Sequence, residues 1–528
     1  MDAQQIEQFQ MHGQDIPQLL AHWAGRRPDH TALVWSPKDG NGRRWTYAEL
    51  KADVDKLAGG LQAKGIATGD KVLIHSENSP EMVLAWLACA TVGAVGVTTN
   101  TKSVGAEMTY FAEHTGAVAA ITQPQFASMV AEAAPALKWI AVTEDNSGDA
   151  ATAEQLAHGF EAFETLYAEP FAGRTPEPML PFGIMFTSGT TSRPKAVVHT
   201  HANAMWAAKA GPRNIDLGPD DTYLIYLPFF HVNAQSWSFF SVLGMGATAV
   251  LMPKWSQSGF WPNVVEHGVT HISLMPFVMG ALMSPDKPTD HKLRAGVFGF
   301  VSKQFEGMFG IAVYGAYGMT ETVTHAVTGK PSEELPDKSM GHVCPGYEVA
   351  VVDQDTGELC AEGVNGELWL RGTRGIQLFL EYYDNPEANA KAFEDGWFKT
   401  GDIVQMTAGG NVVYQERDKD LLKVGGENVS AKEVEDLVVQ HAAVQQVAVV
   451  GKTHDFLGEV AVAFVIKAPG DHDEAAAAEE ILTTCKSQLA TFKVPRAVYF
   501  VDAFPTGTLD KILKNKLREM ADERPAVD

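Results

Sequence analysis

The amino-acid sequence predicts an α/β protein with a large N-terminal domain and a smaller C-terminal domain of the α+β type. Up to about residue 340, helical and strand patterns alternate, which is typical of largely parallel sheets. From about residue 347, short apolar runs are separated by tight turns, which indicates a small β-rich subdomain. A charge-dense segment at 416–420 then precedes a second strand-and-helix series, long enough for an independent domain.

The N-terminal elements follow from the spacing of apolar residues. We predict helices at 47–64 and 80–92, and strands at 71–74 and 118–122. The apolar stretch at 82–97 is too short to cross a bilayer comfortably, so we interpret it as a buried helix followed by a strand.

The C-terminal domain carries a similar but shorter series. Helices are predicted at 431–441 and 475–489, and strands at 444–450 and 460–466. The charged segment at 416–420 lacks apolar periodicity, so we interpret it as a linker or hinge between the two domains.

Composition excludes several classes of function. There are 41 basic and 65 acidic residues, and the net charge of −24 disfavours nucleic acid and anionic membrane surfaces as partners. The four cysteines form no C-x-x-C pair, which argues against a zinc site or a disulfide framework. The N-terminus lacks the pattern of a signal peptide, so we expect a cytoplasmic protein.

Residues 187–195 form a run of small hydroxyl residues around one glycine, and the run ends in a lysine. Gly189 permits positive φ, successive N–H groups in a tight turn bind anions, and Lys195 adds a positive charge. A Walker A loop is excluded, since Pro194 and Ala196 flank that lysine. A polar surface loop remains the alternative, although apolar runs on both sides favour a loop between two buried strands.

Two further segments carry side chains suited to a nucleotide. In 314–322, Tyr317 could stack on a base and Glu321 could hold Mg²⁺ beside phosphates. In 397–402, Asp402 could accept hydrogen bonds from ribose hydroxyls, and Arg417 at the hinge could contact the ribose by donating. The alternatives are core packing for the tyrosine and a turn-stabilising role for the aspartate.

The order of these segments resembles the adenylate-forming superfamily of acyl-CoA synthetases, adenylation domains and luciferases, over about residues 15–520. The resemblance implies a multi-subdomain N-terminal domain over 1–418, with two parallel-rich α/β sheets and a β-barrel-like subdomain at about 341–418. It also implies a mobile α+β C-terminal domain over 419–528, which rotates between two half-reactions.

The resemblance implies a role for each matching residue. ATP would be held by Thr187, Ser188, Gly189, Thr190, Thr191, Lys195, Ala316, Tyr317, Gly318, Met319, Thr320, Asp402, Arg417, Lys423 and Lys511. Within that set the 187–195 loop would hold the β- and γ-phosphates, Tyr317 would lie against adenine, and Thr320 would contact the α-phosphate. Asp402 and Arg417 would hold the ribose.

The implied catalytic residues are Lys511, Thr190, Glu321 and His231. Thr190 and Glu321 would hold Mg²⁺, Lys511 matches the adenylation lysine, and Lys419 falls at the hinge position. One departure from the family pattern precedes that lysine, where an aspartate, Asp510, replaces the usual glycine.

Two other sets complete the implied site. Coenzyme A would contact Lys423, Gly425, Gly426 and His231, and the acyl pocket would include Trp237, Phe277, Phe298, Gly299 and His325. For His231 the alternative is a satisfied core histidine, and an aromatic stripe is more often core than pocket. The segment 296–301 also departs from the family's usual turn, so the shape of that side of the pocket does not transfer.

The resulting expectation is an AMP-forming acid–CoA ligase that uses ATP, Mg²⁺ and coenzyme A. No aspartate lies between Phe229 and Phe240 to pair with an ammonium group, which disfavours an α-amino acid substrate. The segment 322–325 lacks the tryptophan of many acetate-specific relatives, which favours a larger acid. An enzyme that loads a carrier protein and a non-catalytic nucleotide-binding relative stay open as alternatives, and so does a homodimeric assembly.

Overall fold

The structure is a computed structural model that describes residues 7–38, 42–143, 159–187, 193–336, 338–354, 356–417, 421–470, 472–505 and 512–527. The chain divides into two compact units. Unit 1 comprises Met1–Thr101, Glu113–Met185 and Ala196–Glu416, and unit 2 comprises Lys102–Ala112, Phe186–Lys195 and Arg417–Asp528.

The described α-helices are numbered in chain order. They are α1 Ile16–Arg26, α2 Tyr47–Ala63, α3 Pro80–Val92, α4 Gly105–Thr115, α5 Pro124–Ala133, α6 His201–Asn214, α7 Phe240–Met245, α8 Gln257–Glu266, α9 Pro276–Leu282, α10 Lys303–Phe309, α11 Pro386–Ala392, α12 Ala431–Val438, α13 Glu474–Gln488 and α14 Lys514–Asp522. Short 3₁₀ helices lie at Phe163–Leu166, Thr320–Thr322 and Thr491–Lys493, and a π-helix at Asn233–Phe239.

The described strands are numbered in the same way. The first nine are β1 Thr31–Trp35, β2 Arg43–Thr46, β3 Lys71–His75, β4 Val95–Thr98, β5 Ala119–Thr122, β6 Ile140–Val142, β7 Glu161–Ala162, β8 Pro181–Thr187 and β9 Lys195–Thr200. The next nine are β10 Thr222–Ile225, β11 Thr248–Leu251, β12 His271–Ser273, β13 Ala295–Phe298, β14 Ala312–Tyr317, β15 Val327–Gly329, β16 Ser339–Val343, β17 Glu348–Val352 and β18 Gly366–Arg371. The last nine are β19 Glu381–Tyr382, β20 Phe393–Glu394, β21 Trp397–Met406, β22 Val412–Arg417, β23 Leu421–Val424, β24 Glu427–Ser430, β25 Val444–His454, β26 Gly458–Lys467 and β27 Val498–Phe500.

Helix α3 has the bounds that the sequence predicts, because both of its ends carry strong local signals. The Ser79 side chain accepts a hydrogen bond from the Met82 N–H, Pro80 occupies the first turn, and Gly93 ends the helix at φ 88°. Nearly every residue of α3 is buried, and β4 follows directly. The apolar stretch 82–97 is therefore a core helix and a strand, as predicted.

Unit 1 contains a large sheet that changes character along its width. Among the described residues it has 14 strands, and β11, β10, β12, β13 and β14 pair in parallel. From β14 onward the pairing through β15, β16, β22, β21, β18 and β17 is antiparallel wherever the register is described. The β-rich texture predicted beyond residue 347 is thus present, and its strands continue the same hydrogen-bonded ladder.

A second sheet has eight strands within the described residues, in the order β19-β9-β8-β4-β3-β5-β6-β7. Along this order, all neighbouring pairs from β8 through β4, β3, β5 and β6 to β7 are parallel. The two-residue strand β19 pairs antiparallel with β9 at one edge. The predicted α/β class with parallel-rich sheets is confirmed.

Unit 2 is built on a five-stranded sheet in its described part, with β24, β23, β26 and β25 in order and β27 beside β26. Strands β25 and β26 form a long antiparallel hairpin, and both extend beyond their predicted bounds. The predicted linker at 416–420 is only partly described: Arg417 ends strand β22, and residues 418–420 lie outside the described residues. No helix of the described chain combines the length and apolar content that a membrane crossing requires.

Candidate active site

The end of strand β14 is the centre of the predicted nucleotide site. The strand ends at Tyr317, and the 3₁₀ helix Thr320–Thr322 follows two residues later. Only glycine fits at position 318, since an added Cβ would lie 2.7 Å from both Trp237 Cζ2 and the Thr324 oxygen. Predicted contacts Ala316, Tyr317, Gly318, Met319 and Thr320 therefore lie in one continuous, closely packed segment.

His199 of strand β9 holds this turn from the second sheet. Burial lowers the pKa of His199 to about 4, so the ring is neutral near pH 7. Its Nε2–H donates to the Thr320 carbonyl oxygen at 2.7 Å. The turn is thereby fixed to a strand of another sheet.

Tyr317 and Asp402 meet, although 85 residues separate them in the chain. The Tyr317 hydroxyl donates to Asp402 Oδ2 at 2.7 Å, and both side chains are buried. A carboxylate held in this way has a fixed orientation, as a group that accepts from ribose hydroxyls requires.

Asp402 lies in an irregularity of a strand rather than after an isolated turn. Strand β21 runs from Trp397 to Met406, and its register with β18 shifts between Glu367 and Trp369. Gly401 occupies this bulge with φ 75°, and its N–H donates to Glu367 Oε1 at 2.8 Å. β-Bulges often redirect side chains beside active sites, and here the bulge directs Asp402 toward Tyr317.

Glu321, the predicted magnesium ligand, is almost completely buried, with 4% of its surface exposed. The Tyr382 hydroxyl donates to its Oε1 at 2.9 Å, and the Phe379 N–H donates to its backbone oxygen at 2.8 Å. Within the described residues, no group of three His, Cys, Asp or Glu side chains could hold a metal ion by itself. A single carboxylate fits Mg²⁺ that is also bound by nucleotide phosphates and water.

The predicted acyl-pocket residues fall into two groups. Trp237 and His325 contact each other, with ring centroids 4.6 Å apart. Phe277 is 41% exposed and packs on Trp255 instead. Phe298 packs on other phenylalanines, and Gly299 is open, with no atom within 4 Å of an added Cβ.

The predicted phosphate loop, residues 187–195, is described only at its ends. Thr187 is the last residue of β8 and Lys195 the first of β9, so the run lies between two neighbouring strands, as the sequence predicts. Six predicted site residues lie outside the described residues: Ser188, Gly189, Thr190, Thr191, Lys419 and Lys511.

The predicted coenzyme A segment in unit 2 is a β-hairpin. Lys423 lies on β23, and Gly425 and Gly426 form the two-residue turn before β24. Both glycines have positive φ, 59° and 89°, which a two-residue turn of this hand requires.

His231 precedes the π-helix in unit 1. The backbone N–H of His231 donates to the Pro228 backbone oxygen at 3.1 Å. The half-buried imidazole ring packs against Phe230, with ring centroids 4.6 Å apart. Both of these contacts are with residues that directly precede His231 in the chain.

Comparison with known proteins decides the family. The AMP-binding enzyme family matches residues 20–383, and the AMP-binding enzyme C-terminal domain matches residues 433–511. The chain belongs to the AMP-binding enzyme family. The predicted resemblance to adenylate-forming enzymes is therefore confirmed.

Relatives of this AMP-binding enzyme are acid–CoA ligases. It is 33% identical over 525 residues to a crotonobetaine/carnitine–CoA ligase of Salmonella heidelberg, covering 96% of this chain and 99% of the relative. It is also similar to the structure of o-succinylbenzoate CoA synthetase from Bacillus subtilis, with a TM-score of 0.79, 26% identity and coverage of 96% and 98%. A fatty acyl CoA synthetase of Mycobacterium tuberculosis matches with a TM-score of 0.66, 29% identity and the same coverage. The expected enzyme class, an AMP-forming acid–CoA ligase, is confirmed.

Two residues of this AMP-binding enzyme that support the site were missed by sequence reasoning. His199 fixes Thr320, and Tyr382 fixes Glu321, yet neither lies in a predicted motif. The sequence offers a signal only for His199, which directly follows the apolar run 196–198 after the predicted phosphate loop. Strand β19, which carries Tyr382, has two residues and no periodicity to detect.

Proposed function

We propose that this chain converts a carboxylic acid larger than acetate, and not an α-amino acid, into its coenzyme A thioester through an acyl-adenylate. The observation that supports it best is the pair of buried carboxylates near the end of β14, Asp402 and Glu321, each hydrogen-bonded by a tyrosine hydroxyl. Such a pair can hold ribose and a nucleotide-bound cation at fixed positions. A relative that is similar over almost the whole chain is a CoA ligase, which agrees with this reading.

In the first step, a carboxylate oxygen of the acid attacks the α-phosphorus of ATP, and the bond to pyrophosphate breaks. AMP becomes the leaving group that a free carboxylate lacks. Negative charge grows on phosphate oxygens, so cationic and N–H donors accelerate the step. We assign these roles to Lys511, Thr320 and the 187–195 loop.

Asp402 and Arg417 would hold the ribose, and Tyr317 would lie against adenine with its hydroxyl on the same aspartate. Glu321 and Thr190 would hold Mg²⁺, which neutralises phosphate charge when it is bound. The Tyr382 hydroxyl keeps the Glu321 carboxylate in one orientation for that task.

In the second step, the thiol of coenzyme A attacks the acyl carbon and AMP leaves. The hairpin at Gly425 and Gly426 has no side chain at its turn, so a narrow pantetheine chain could lie against its backbone. We assign coenzyme A contacts to this turn, to Lys423 and to His231. Lys419 would be the hinge that exchanges the two steps.

We also propose the cytoplasm as the compartment, since all four cysteines are free. The net charge of −24 disfavours nucleic acid as a partner. Light scattering would decide between a monomer and a homodimer.

A substrate panel tests the proposal directly. Purified protein is supplied with ATP, Mg²⁺, coenzyme A and acids of increasing size, and AMP, pyrophosphate and acyl-CoA are measured. Formation of all three products with one acid is the expected result. Adenylate formed without use of free coenzyme A would favour loading of a carrier protein. Absence of pyrophosphate exchange with every acid would favour a non-catalytic nucleotide-binding protein.

A further inference from the structure

Four side chains beside the end of β14, one of them the partly buried Trp237, carry buried polar atoms without hydrogen-bond partners within the described residues. These atoms are Trp237 Nε1, Ser241 Oγ, Thr324 Oγ1 and both ring nitrogens of His325. Thr324, Ser241 and His325 are fully buried. An unsatisfied buried polar group costs about 1–3 kcal/mol, so a group of them at one place calls for a ligand that satisfies them. We call this group the polar cluster.

The cluster is one place in the fold, and two glycines make room for it. The Trp237 and His325 rings are in edge-to-face contact with centroids 4.6 Å apart, and the indole packs so closely on Gly318 that a Cβ there would lie 2.7 Å from Trp237 Cζ2. A Cβ added at Gly211 would lie 2.2 Å from Ser241 Oγ and 3.6 Å from Thr324 Oγ1. The four side chains therefore surround the same part of unit 1.

The backbone on both sides of the cluster has rare geometry. Val323 has φ 64° and ψ −58°, and the Thr324 N–H donates to the Thr322 oxygen at 2.6 Å, which forms a γ-turn of the strained kind. A β-branched residue at positive φ is an outlier, and its conformational free-energy cost must be offset by interactions of the surrounding structure. Trp237 lies in the π-helix Asn233–Phe239, a type of helix that is frequent at functional sites.

The chemistry of the cluster indicates what it can bind. Burial lowers the pKa of His325 to about 3, so its imidazole is neutral near pH 7 and offers one N–H donor and one acceptor. The Trp237 indole is a donor only, and the two hydroxyls can both donate and accept. A hydroxyl or keto oxygen can pair with these groups. The four side chains themselves carry no charge that could pair with a carboxylate or a trimethylammonium group.

We propose that Trp237, Ser241, Thr324 and His325 recognise a neutral hydroxyl or keto oxygen on the acyl chain, so that the preferred substrate is a hydroxy or keto acid. This inference rests on the proposed function, because it places the acyl chain next to Glu321, four residues before His325 in the chain. The proposed substrate differs from the acids in the name of the crotonobetaine/carnitine–CoA ligase relative, because both of those acids carry a permanent cation.

Matched acids test the inference in the full-length enzyme. The kcat/KM values of hexanoate, 3-hydroxyhexanoate, 4-oxohexanoate and 5-oxohexanoate are compared with those of adipate and crotonobetaine, which carry a second carboxylate and a trimethylammonium group in place of the neutral oxygen. At least one oxygenated acid should exceed hexanoate by about tenfold or more, because buried polar groups of the enzyme stay unpaired with an alkyl chain. Equal values across the oxygenated and alkyl acids, or preference for adipate or crotonobetaine, would overturn the inference and leave the ligase function intact.

Trp237→Phe removes the indole N–H and keeps an aromatic ring. The ratio of kcat/KM for the best oxygenated acid to that for hexanoate should fall by about fivefold to tenfold. Trp139→Phe is the matched control, because Trp139 Nε1 is also buried without a partner among the described residues, but Trp139 directly precedes strand β6 near one edge of the second sheet. An unchanged ratio in Trp237→Phe, or an equal loss in Trp139→Phe, would remove the cluster from recognition.

Thermal-shift titrations with the same acids and AMP need no turnover. A larger rise of the Tm with the oxygenated acid than with hexanoate, reduced in Trp237→Phe, supports the inference even if no acyl-CoA forms. Equal rises with both acids would contradict it. Failure of acyl-CoA formation alone would count against the proposed function.

Discussion

At the scale of single residues, the tyrosine hydroxyls on Asp402 and Glu321 are the features most open to test. Each hydroxyl fixes one carboxylate oxygen, so the effect of charge can be separated from the effect of orientation. Glu321→Gln removes the charge and keeps an oxygen for Tyr382, whereas Tyr382→Phe keeps the charge and removes the hydrogen bond.

We expect Glu321→Gln to lower the rate of acyl-adenylate formation by at least about 100-fold, because it removes the charge that we propose to bind Mg²⁺. Tyr382→Phe should lower it by about 10-fold, the usual effect of losing a hydrogen bond that orients a metal ligand. ATP–pyrophosphate exchange at several Mg²⁺ concentrations measures both. A larger defect in Tyr382→Phe than in Glu321→Gln would contradict the magnesium role.

Lys511→Ala should abolish adenylation and spare thioester formation from supplied acyl-adenylate, because we assign the Lys511 charge only to the step in which pyrophosphate leaves. Lys514→Ala is the control: the Lys514 ammonium already donates to Glu435 Oε1 at 2.7 Å, and its loss should affect stability rather than chemistry. Equal loss of both half-reactions in Lys511→Ala would refute the division of labour.

Residue-level prediction from sequence is most direct where a motif is contiguous, as in 317–321. It could not find Tyr382, because the contact with Glu321 depends on a two-residue strand that pairs only in the folded sheet. The sequence also led us to predict the aromatic residues of the acyl pocket as one set. The structure brings Trp237 to His325 and leaves Phe277 on the surface, since aromatic residues look alike in a sequence whichever way they face.

At the scale of elements, the hairpin between β23 and β24 depends on its two glycines. Gly425 has φ 59°, and an added Cβ would lie 3.0 Å from Leu457 Cδ2. Helix α3 shows the other extreme, since its caps define its bounds from local sequence alone. The π-helix Asn233–Phe239 had no such signal, because nothing in its sequence distinguishes it from an ordinary helix.

Gly425→Ala should slow thioester formation by several-fold and leave adenylation unchanged, because the strained turn would move the backbone that we assign to pantetheine. Gly410→Ala is a matched control at φ 72° in another turn, with no atom within 4 Å of its added Cβ. Both changes should cost about 1–2 kcal/mol of stability. Adenylation and thioester formation are assayed separately in both variants. Equal rates of thioester formation in Gly425→Ala and Gly410→Ala would contradict the coenzyme A assignment.

At the scale of the whole molecule, stability should depend on pH through buried histidines of unit 1. Burial holds the pKa of five histidines below the ordinary value: His75, His199, His201, His271 and His325. The unfolded chain binds protons at these positions below about pH 6.5, whereas the folded chain does not until lower pH. Each histidine can therefore remove up to about 1.4 kcal/mol of unfolding free energy per pH unit as the pH falls below that value.

Calorimetry between pH 7.5 and pH 5.5 should show a falling Tm. In His75→Asn the slope of Tm against pH should be smaller, since one titrating group is lost, and in His12→Asn, which changes an exposed histidine, it should not change. A Tm that is constant over this range would contradict the prediction.

The division of the chain into two units supports a role for Lys419 at their junction, since unit 1 ends at Glu416 and unit 2 resumes at Arg417. Lys419→Pro fixes φ at the proposed hinge. We expect thioester formation to slow by about tenfold or more while adenylation continues. Unchanged thioester formation would remove Lys419 as the pivot.

The pairing of β19 with β9 has a consequence for biosynthesis. Tyr382 pairs with Val197, and at about 5–20 residues per second the ribosome adds the later residue roughly ten to forty seconds after the earlier one. Until then the nascent chain carries β9 with one edge uncovered, a surface on which chaperones or other nascent chains could act. Since Tyr382 also donates to Glu321, the edge closes and the carboxylate acquires its orienting hydroxyl in the same late event.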